Sequence, residues 1–271
     1  MEARVEARFR SGAAMTRTVD MLRVVALPSR EAVGAEAADY VAGRLRDLMT
    51  SQARVRVAFG AAASQTEFLD SLARADALDW SRIDAFQLDD YVGLPRGDSR
   101  TFASWLDRHI FSRVHPGRVE ILDGSVADPA IECRRYGALI ADGGLDLALV
   151  GVGENGHVAF NEPLVADVDD PEIVKLVELD EMSRLQQVRD GEFRIITAVP
   201  QRALTLTMSA ILGSRAVSAV VPGEFKAAAL TSLLDGPISP ECPGSALRRH
   251  PDAVLFADAA ALSLVKFQNV V

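Results

Sequence analysis

Apolar residues recur at helical spacing from Ser29 onward, with Val33, Ala37, Val41, Leu45 and Leu48 along one face. The Ser29 hydroxyl can cap such a helix, so the pattern predicts an amphipathic helix running to about Thr50. Short apolar runs follow at 55–59, 83–88, 145–152, 216–221 and 253–257, each of strand length. The run LDLALV within the third has the branched content of a strand buried on both faces. Helical patterns at 65–75, 100–114, 130–141 and 225–234 lie between the runs. This alternation predicts an α/β fold, a single Rossmann-like, doubly wound domain whose mainly parallel sheet is flanked by helices. No repeat, low-complexity tract or linker divides it. The domain is expected over 22–271, with 1–21 as a loosely packed N-terminal extension, and the polar stretch 166–172, containing Pro171, as a mobile loop or lid.

Composition narrows the classes. At 271 residues, 49% hydrophobic and 25% charged, the chain reads as an ordinary globular protein able to bury a substantial core. Its 29 basic and 38 acidic residues leave a net charge of −9, which argues against nucleic acid as a partner because backbone binding needs a basic footprint. No apolar stretch approaches the length of a membrane span, and the N-terminal segment lacks the apolar centre of a secretory signal. Cys133 and Cys242 are too few for a disulfide framework and have no metal-ligand spacing, which points to a reducing cytoplasm and no metal site.

Three strand ends carry candidate chemistry. The segment GVGENGHVAFNEP, 151–163, follows LDLALV directly and holds Asn155, His157 and Glu162 in a glycine turn. Ligands of open α/β sheets gather beyond such strand ends. A glutamate near a histidine can fix its tautomer and leave one ring nitrogen free to move protons. A histidine satisfied by backbone groups in a tight turn fits the same letters. In LDDYVGLP, Asp89 and Asp90 follow the second apolar run; adjacent acids point in different directions, so one can face a crevice while the other caps or pairs. In VVPGEFKAAAL, Lys226 stands in the first turn of a helix, where a cation is sensible if an anion shares that N-terminus; a solvated lysine is the alternative. The turn FGAAASQ, with Gly60 and Ser64, offers further donors to such an anion.

Taken in this order, LDDYVGLP, GVGENGHVAFNEP and VPGEFKAAAL, joined by the later PGSALRRH, resemble the glucosamine-6-phosphate deaminase/isomerase family over nearly the whole chain after about Leu22. That family shares its fold with 6-phosphogluconolactonase. The resemblance implies an enzyme that needs no cofactor and turns an aminosugar phosphate into a ketose phosphate and ammonia. It implies Asp89 as the base moving a proton between C2 and C1, and His157, oriented by Glu162, as the group assisting ring opening. Lys226 and Arg184, the latter in DEMSRLQQ, are the implied phosphate ligands. Asp90, Gly60, Ser64 and Gly156 complete the expected substrate-binding set, and a homo-oligomer fits the family. The chain departs from the family pattern at Asn155, where aspartate is usual, at Leu164, Val165 and Ala166, and in the FGAAAS loop. Two other readings stand beside the deaminase: a lactone hydrolase, and a sugar-phosphate sensor without turnover.

Overall fold

The Ser29 hydroxyl accepts from the backbone of Ala32 and opens helix α1, Arg30–Ser51, in the computed structural model, which describes residues 14–267. Val33, Ala37, Val41 and Leu45 are fully buried, as the stripe predicts, and the two valines and Leu45 each add about 1.5–3 kcal/mol as side chains removed from water. They pack on a sheet of eight strands. Its spatial order is β1 (Met15–Val19), β2 (Leu22–Leu27), β11 (Ala253–Asp258), β10 (Ala216–Val220), β7 (Leu147–Val150), β3 (Val55–Phe59), β4 (Ile83–Gln87) and β6 (Arg118–Glu120). From β2 to β6 every pairing is parallel, and only β1, at the edge, runs antiparallel to β2.

Side chains alternate across this sheet. In β7, Leu147 and Leu149 join the core under α1, α2 (Thr66–Leu72) and α3 (Phe102–Leu106), while Ala148 and Val150 face the core under α4 (Pro129–Ala141), α6 (Met208–Leu212) and α7 (Ala227–Asp235). Helices thus cover both faces, as the near-continuous apolar runs require. Strands β3 and β4 wind one way and β7, β10 and β11 the other, so the reversal falls between β3 and β7. A crevice opens beyond their carboxyl ends.

A second sheet stands beside that crevice. Strands β5 (Asp89–Tyr91), β9 (Arg202–Leu206) and β8 (Val174–Glu178) pair antiparallel. Only Leu88 separates β4 from β5, and both its backbone groups are used: its N–H donates to Phe59 O in the large sheet, and its carbonyl accepts from Leu206 N in the small one. Helix α5, Glu181–Arg189, follows β8 and closes the far side of the cleft.

Two expectations need correction. Residues 15–21 belong to the domain, because β1 pairs with β2 along its length and buries Met15 and Val19; residues 1–13 lie outside the described residues. The stretch 166–172 is not a lid. Lys175 holds the Asp170 carboxylate at 2.8 Å, Ser209 donates to Asp170 O and Thr207 to Glu172 O, so the segment is tied to the start of α6 and does not line the cleft.

Candidate active site

The ends of β3, β4, β7 and β10 surround an open cleft. Asp89, Lys226, His157, Gly60 and Ser64 all line it. The Asp89 carboxyl is buried yet makes no hydrogen bond to a described residue. Burial, and then the charges of Asp90 and Glu162, push it well above the usual carboxylate range. Its backbone is held firmly, since the Gln87 amide donates to Asp89 O at 2.8 Å and to Asp90 Oδ2 at 2.8 Å while accepting from Leu122 N at 3.0 Å. The result is a carboxyl fixed in place with its oxygens left over for a ligand.

Asp90 has the opposite surroundings. Besides Gln87, it accepts from Tyr91 N at 2.8 Å and from Phe102 N and Ala103 N at 3.0 Å each, clasping β5 to the first turn of α3. Burial raises its carboxyl, and these donors oppose the rise. Anions are favoured at such a helix start.

Beyond β7 the turn is set by two glycines. A Cβ on Gly153 would lie 2.1 Å from Cε1 and 2.3 Å from Nε2 of His157, so the imidazole rests on bare backbone. Gly156 has φ of 91° and packs against Cys242, where a Cβ would meet Sγ at 2.7 Å. Behind the ring lies a polar network. His157 Nδ1 is 2.8 Å from Asn155 Oδ1, 3.0 Å from Ser183 Oγ and 3.6 Å from Glu162 Oε2. The Asn155 amide nitrogen donates to Glu162 Oε2 and to Asp180 Oδ2, both at 2.9 Å. Burial raises the Glu162 carboxyl, but hydrogen bonds and charge from His157, with further bonds from Ser183 and Asn155, outweigh it and leave it below its ordinary value. Neither Asn155 nor Glu162 lines the cleft; both act from behind the ring.

Lys226 ends a short helical turn, Glu224–Lys226, that leads into α7. It is buried, and no described residue gives its ammonium a hydrogen bond or ion pair. Burial pushes the ammonium down, against the opposing pull of Glu154 and Asp190. A desolvated, unpartnered cation is costly, and an anionic ligand offsets that cost. The loop after β3 faces the same space, held from outside by Arg30, which grips Glu67 at 2.9 and 3.0 Å and donates to Ala63 O at 3.1 Å.

A family model described as glucosamine-6-phosphate isomerases/6-phosphogluconolactonase matches residues 28–256. The chain belongs to this family. A glucosamine-6-phosphate deaminase of Arthrobacter sp. (strain FB24) is 36% identical over 256 residues, which cover 92% of this chain and 94% of that protein. The deaminase of Bacillus cereus (strain B4264) is 35% identical over 191 residues, 70% of this chain and 71% of that protein. Among solved structures, a monomeric glucosamine-6-phosphate deaminase superposes with a TM-score of 0.82 at 29% identity, covering 89% of this chain and 99% of that one. A 6-phosphogluconolactonase from Thermotoga maritima shares the fold at a TM-score of 0.69 and 20% identity, covering 87% and 98%.

Within this glucosamine-6-phosphate isomerase/6-phosphogluconolactonase fold, three sequence expectations are not met in the geometry. Arg184 does not line the cleft: it is half-buried and donates to Ile196 O at 2.8 Å and Val199 O at 3.3 Å, in the short turn that precedes β9. Asp90 is consumed by its clasp, and Gly156 shapes the turn without lining the cleft. The inner side of α5 instead presents Gln186 and Gln187, and the loop after β3 presents Gln65. These amides, together with Phe102, Ser183 and Asp180, went unread in the sequence. Asp180 had one local signal, an aspartate at a helix start whose carboxylate accepts Ser183 N at 2.7 Å. Among the described residues no cluster suited to a metal is formed, and no helix is long and apolar enough to cross a membrane.

Proposed function

We propose that the chain converts an aminosugar phosphate to a ketose phosphate and ammonia, with Asp89 as the carbon base and His157 as the ring-opening group. The observation that carries this reading is one cleft lined by three unsatisfied groups: the Asp89 carboxyl, the cleft-side nitrogen of His157 and the Lys226 ammonium. Lys226 and the Ser64 hydroxyl, which accepts from the Gln65 amide and keeps its own hydrogen to donate, take the phosphate. His157 moves the proton between the anomeric hydroxyl and the ring oxygen, giving the open aldehyde. Asp89 then removes the C2 proton while the aldehyde oxygen takes a proton from the substrate's own ammonium, and the proton held by Asp89 is returned to C1. The product of that transfer is a C2 iminium; water adds there, the carbinolamine collapses and ammonia leaves. No step calls for a redox group or metal.

The environment of Asp89 suits this role, since a carboxylate made more basic by burial is a better carbon base once ionised. The free thiols of Cys133 and Cys242 fit a reducing compartment, which supports a cytoplasmic enzyme. The deciding experiment supplies glucosamine-6-phosphate, its galactosamine epimer and 6-phosphogluconolactone to purified protein and to Asp89→Asn. Release of ammonia and ketose phosphate from one aminosugar, lost in the variant, supports the reading. Lactone hydrolysis alone, or saturable binding with no product, overturns it.

A further inference from the structure

The position occupied by Asn155 joins two carboxylates, and the protons there can be assigned from chemistry. Glu162 Oε2 and Asp180 Oδ2 each lie 2.9 Å from the same side-chain atom of Asn155. Ionised carboxylates only accept, so that atom is the amide nitrogen, whose two hydrogens are both used. The amide oxygen is thereby turned to the other side. There it accepts His157 N–H at 3.1 Å and lies 2.8 Å from His157 Nδ1. An amide oxygen cannot donate, so Nδ1 carries the hydrogen. Ser183 Oγ, 3.0 Å from Nδ1, donates its own hydrogen to Glu162 and has a lone pair for the same N–H. In the neutral ring the remaining lone pair is on Nε2, which makes no hydrogen bond to a described residue, in a ring that lines the cleft.

From this geometry we propose that Asp180 is a positioning residue which, through Asn155, locks His157 as the Nδ1–H tautomer and leaves Nε2 as the proton acceptor facing the substrate. The corollary is that this site requires an amide at 155. An aspartate there would set a third carboxylate against Glu162 and Asp180, replacing two attractive contacts with repulsion and favouring a protonated ring. The charged groups around the imidazole are Glu162 in its own turn, Asp180 at the start of α5, Asp89 at the start of β5 and Lys226 after β10. Three of these four are carboxylates, so the network is sensitive to one more.

The kinetic part rests on the proposed deaminase activity; the tautomer itself does not. Nitrogen-15 NMR of the histidine rings in ligand-free protein, with His157 assigned by its loss in His157→Gln, should show Nδ1 protonated and Nε2 bare. In Asp180→Asn, which keeps a helix-capping side chain, a share of Nε2–H tautomer should appear. A wild-type ring protonated on Nε2, or an unchanged ring in the variant, overturns the proposal whatever the substrate. With an active substrate, Asn155→Asp should lower kcat by about tenfold or more while moving KM little, and shift the acid limb of the pH–rate profile upward. The double variant Asn155→Asp/Asp180→Asn restores the charge count and should recover most of both changes. Higher activity in Asn155→Asp, or a double variant no better than it, overturns the proposal.

Discussion

Two buried carboxyls stand near each other, and their surroundings drive them in opposite directions. Asp89, at the joint of the two sheets, has no hydrogen-bonding partner for its side chain among the described residues, so burial raises it; Glu162, in the turn after β7, receives donors from His157, Ser183 and Asn155, so it falls. Depth alone does not set acidity. What separates them is whether the fold supplies donors, and the fold withholds donors where a ligand is meant to arrive.

Removing the carboxyl without donors should have the larger effect. Asp89→Asn is expected to cut kcat by about 10²–10⁴-fold with little change in KM, read from ammonia release, because the proposed general base is gone and the proposed binding groups remain. A loss confined to KM would erase the contrast. Next comes the platform under the ring: Gly153→Ala places a methyl 2.1 Å from His157 Cε1 and should cost about 10²-fold in kcat through misplacement of the imidazole.

The cations give the next comparison. Lys226→Ala should raise KM for a phosphorylated substrate by roughly 10- to 100-fold, as expected for loss of a charge-assisted contact, whereas Arg184→Gln should leave KM within about twofold because its partners are carbonyls. Equal effects would mean that Arg184 swings into the cleft when the ligand binds.

The smallest effect is the sharpest test of the two carboxyls. The raised Asp89 binds its proton more tightly in the folded state, so its stabilising contribution is present at acid pH and is lost as pH rises through the folded value. Asp89→Asn should therefore melt higher than wild type at neutral pH, with the gain vanishing below about pH 4. Glu162 has the opposite sign. Its contribution is present above the unfolded carboxylate range and is lost as pH falls, so Glu162→Gln should cost about 1–3 kcal/mol at neutral pH, or roughly 2–4 °C per kcal/mol, and converge on wild type in acid.

The parallel sheet and α1 were legible because runs such as 145–150 and the stripe from Val33 to Leu48 are periodic and strongly apolar. The small sheet was not. Val174–Glu178 exposes Leu176, and Asp89–Tyr91 is too short to signal a strand, so long-range pairing with Arg202–Leu206 decides both. The same limit applied to the site. Residues at the ends of apolar runs, Asp89, His157 and Lys226, could be found because a strand end is a place. Arg184 was misplaced because α5 carries few apolar residues, and nothing local says which side of it faces inward. Asp180 and Gln187 came from the unread face of the same helix.

Leu88 gives one backbone group to each sheet, so the position of the neighbouring Asp89 depends on both sheets being in place. A chain that has formed its parallel sheet and shed β5, β8 and β9 keeps the loop after β3 and Lys226 while Asp89 is adrift. On the proposed assignment of Lys226 and Asp89, such a species would still bind a phosphorylated sugar without turning it over, so affinity and turnover should part company under mild denaturation before the molecule as a whole unfolds.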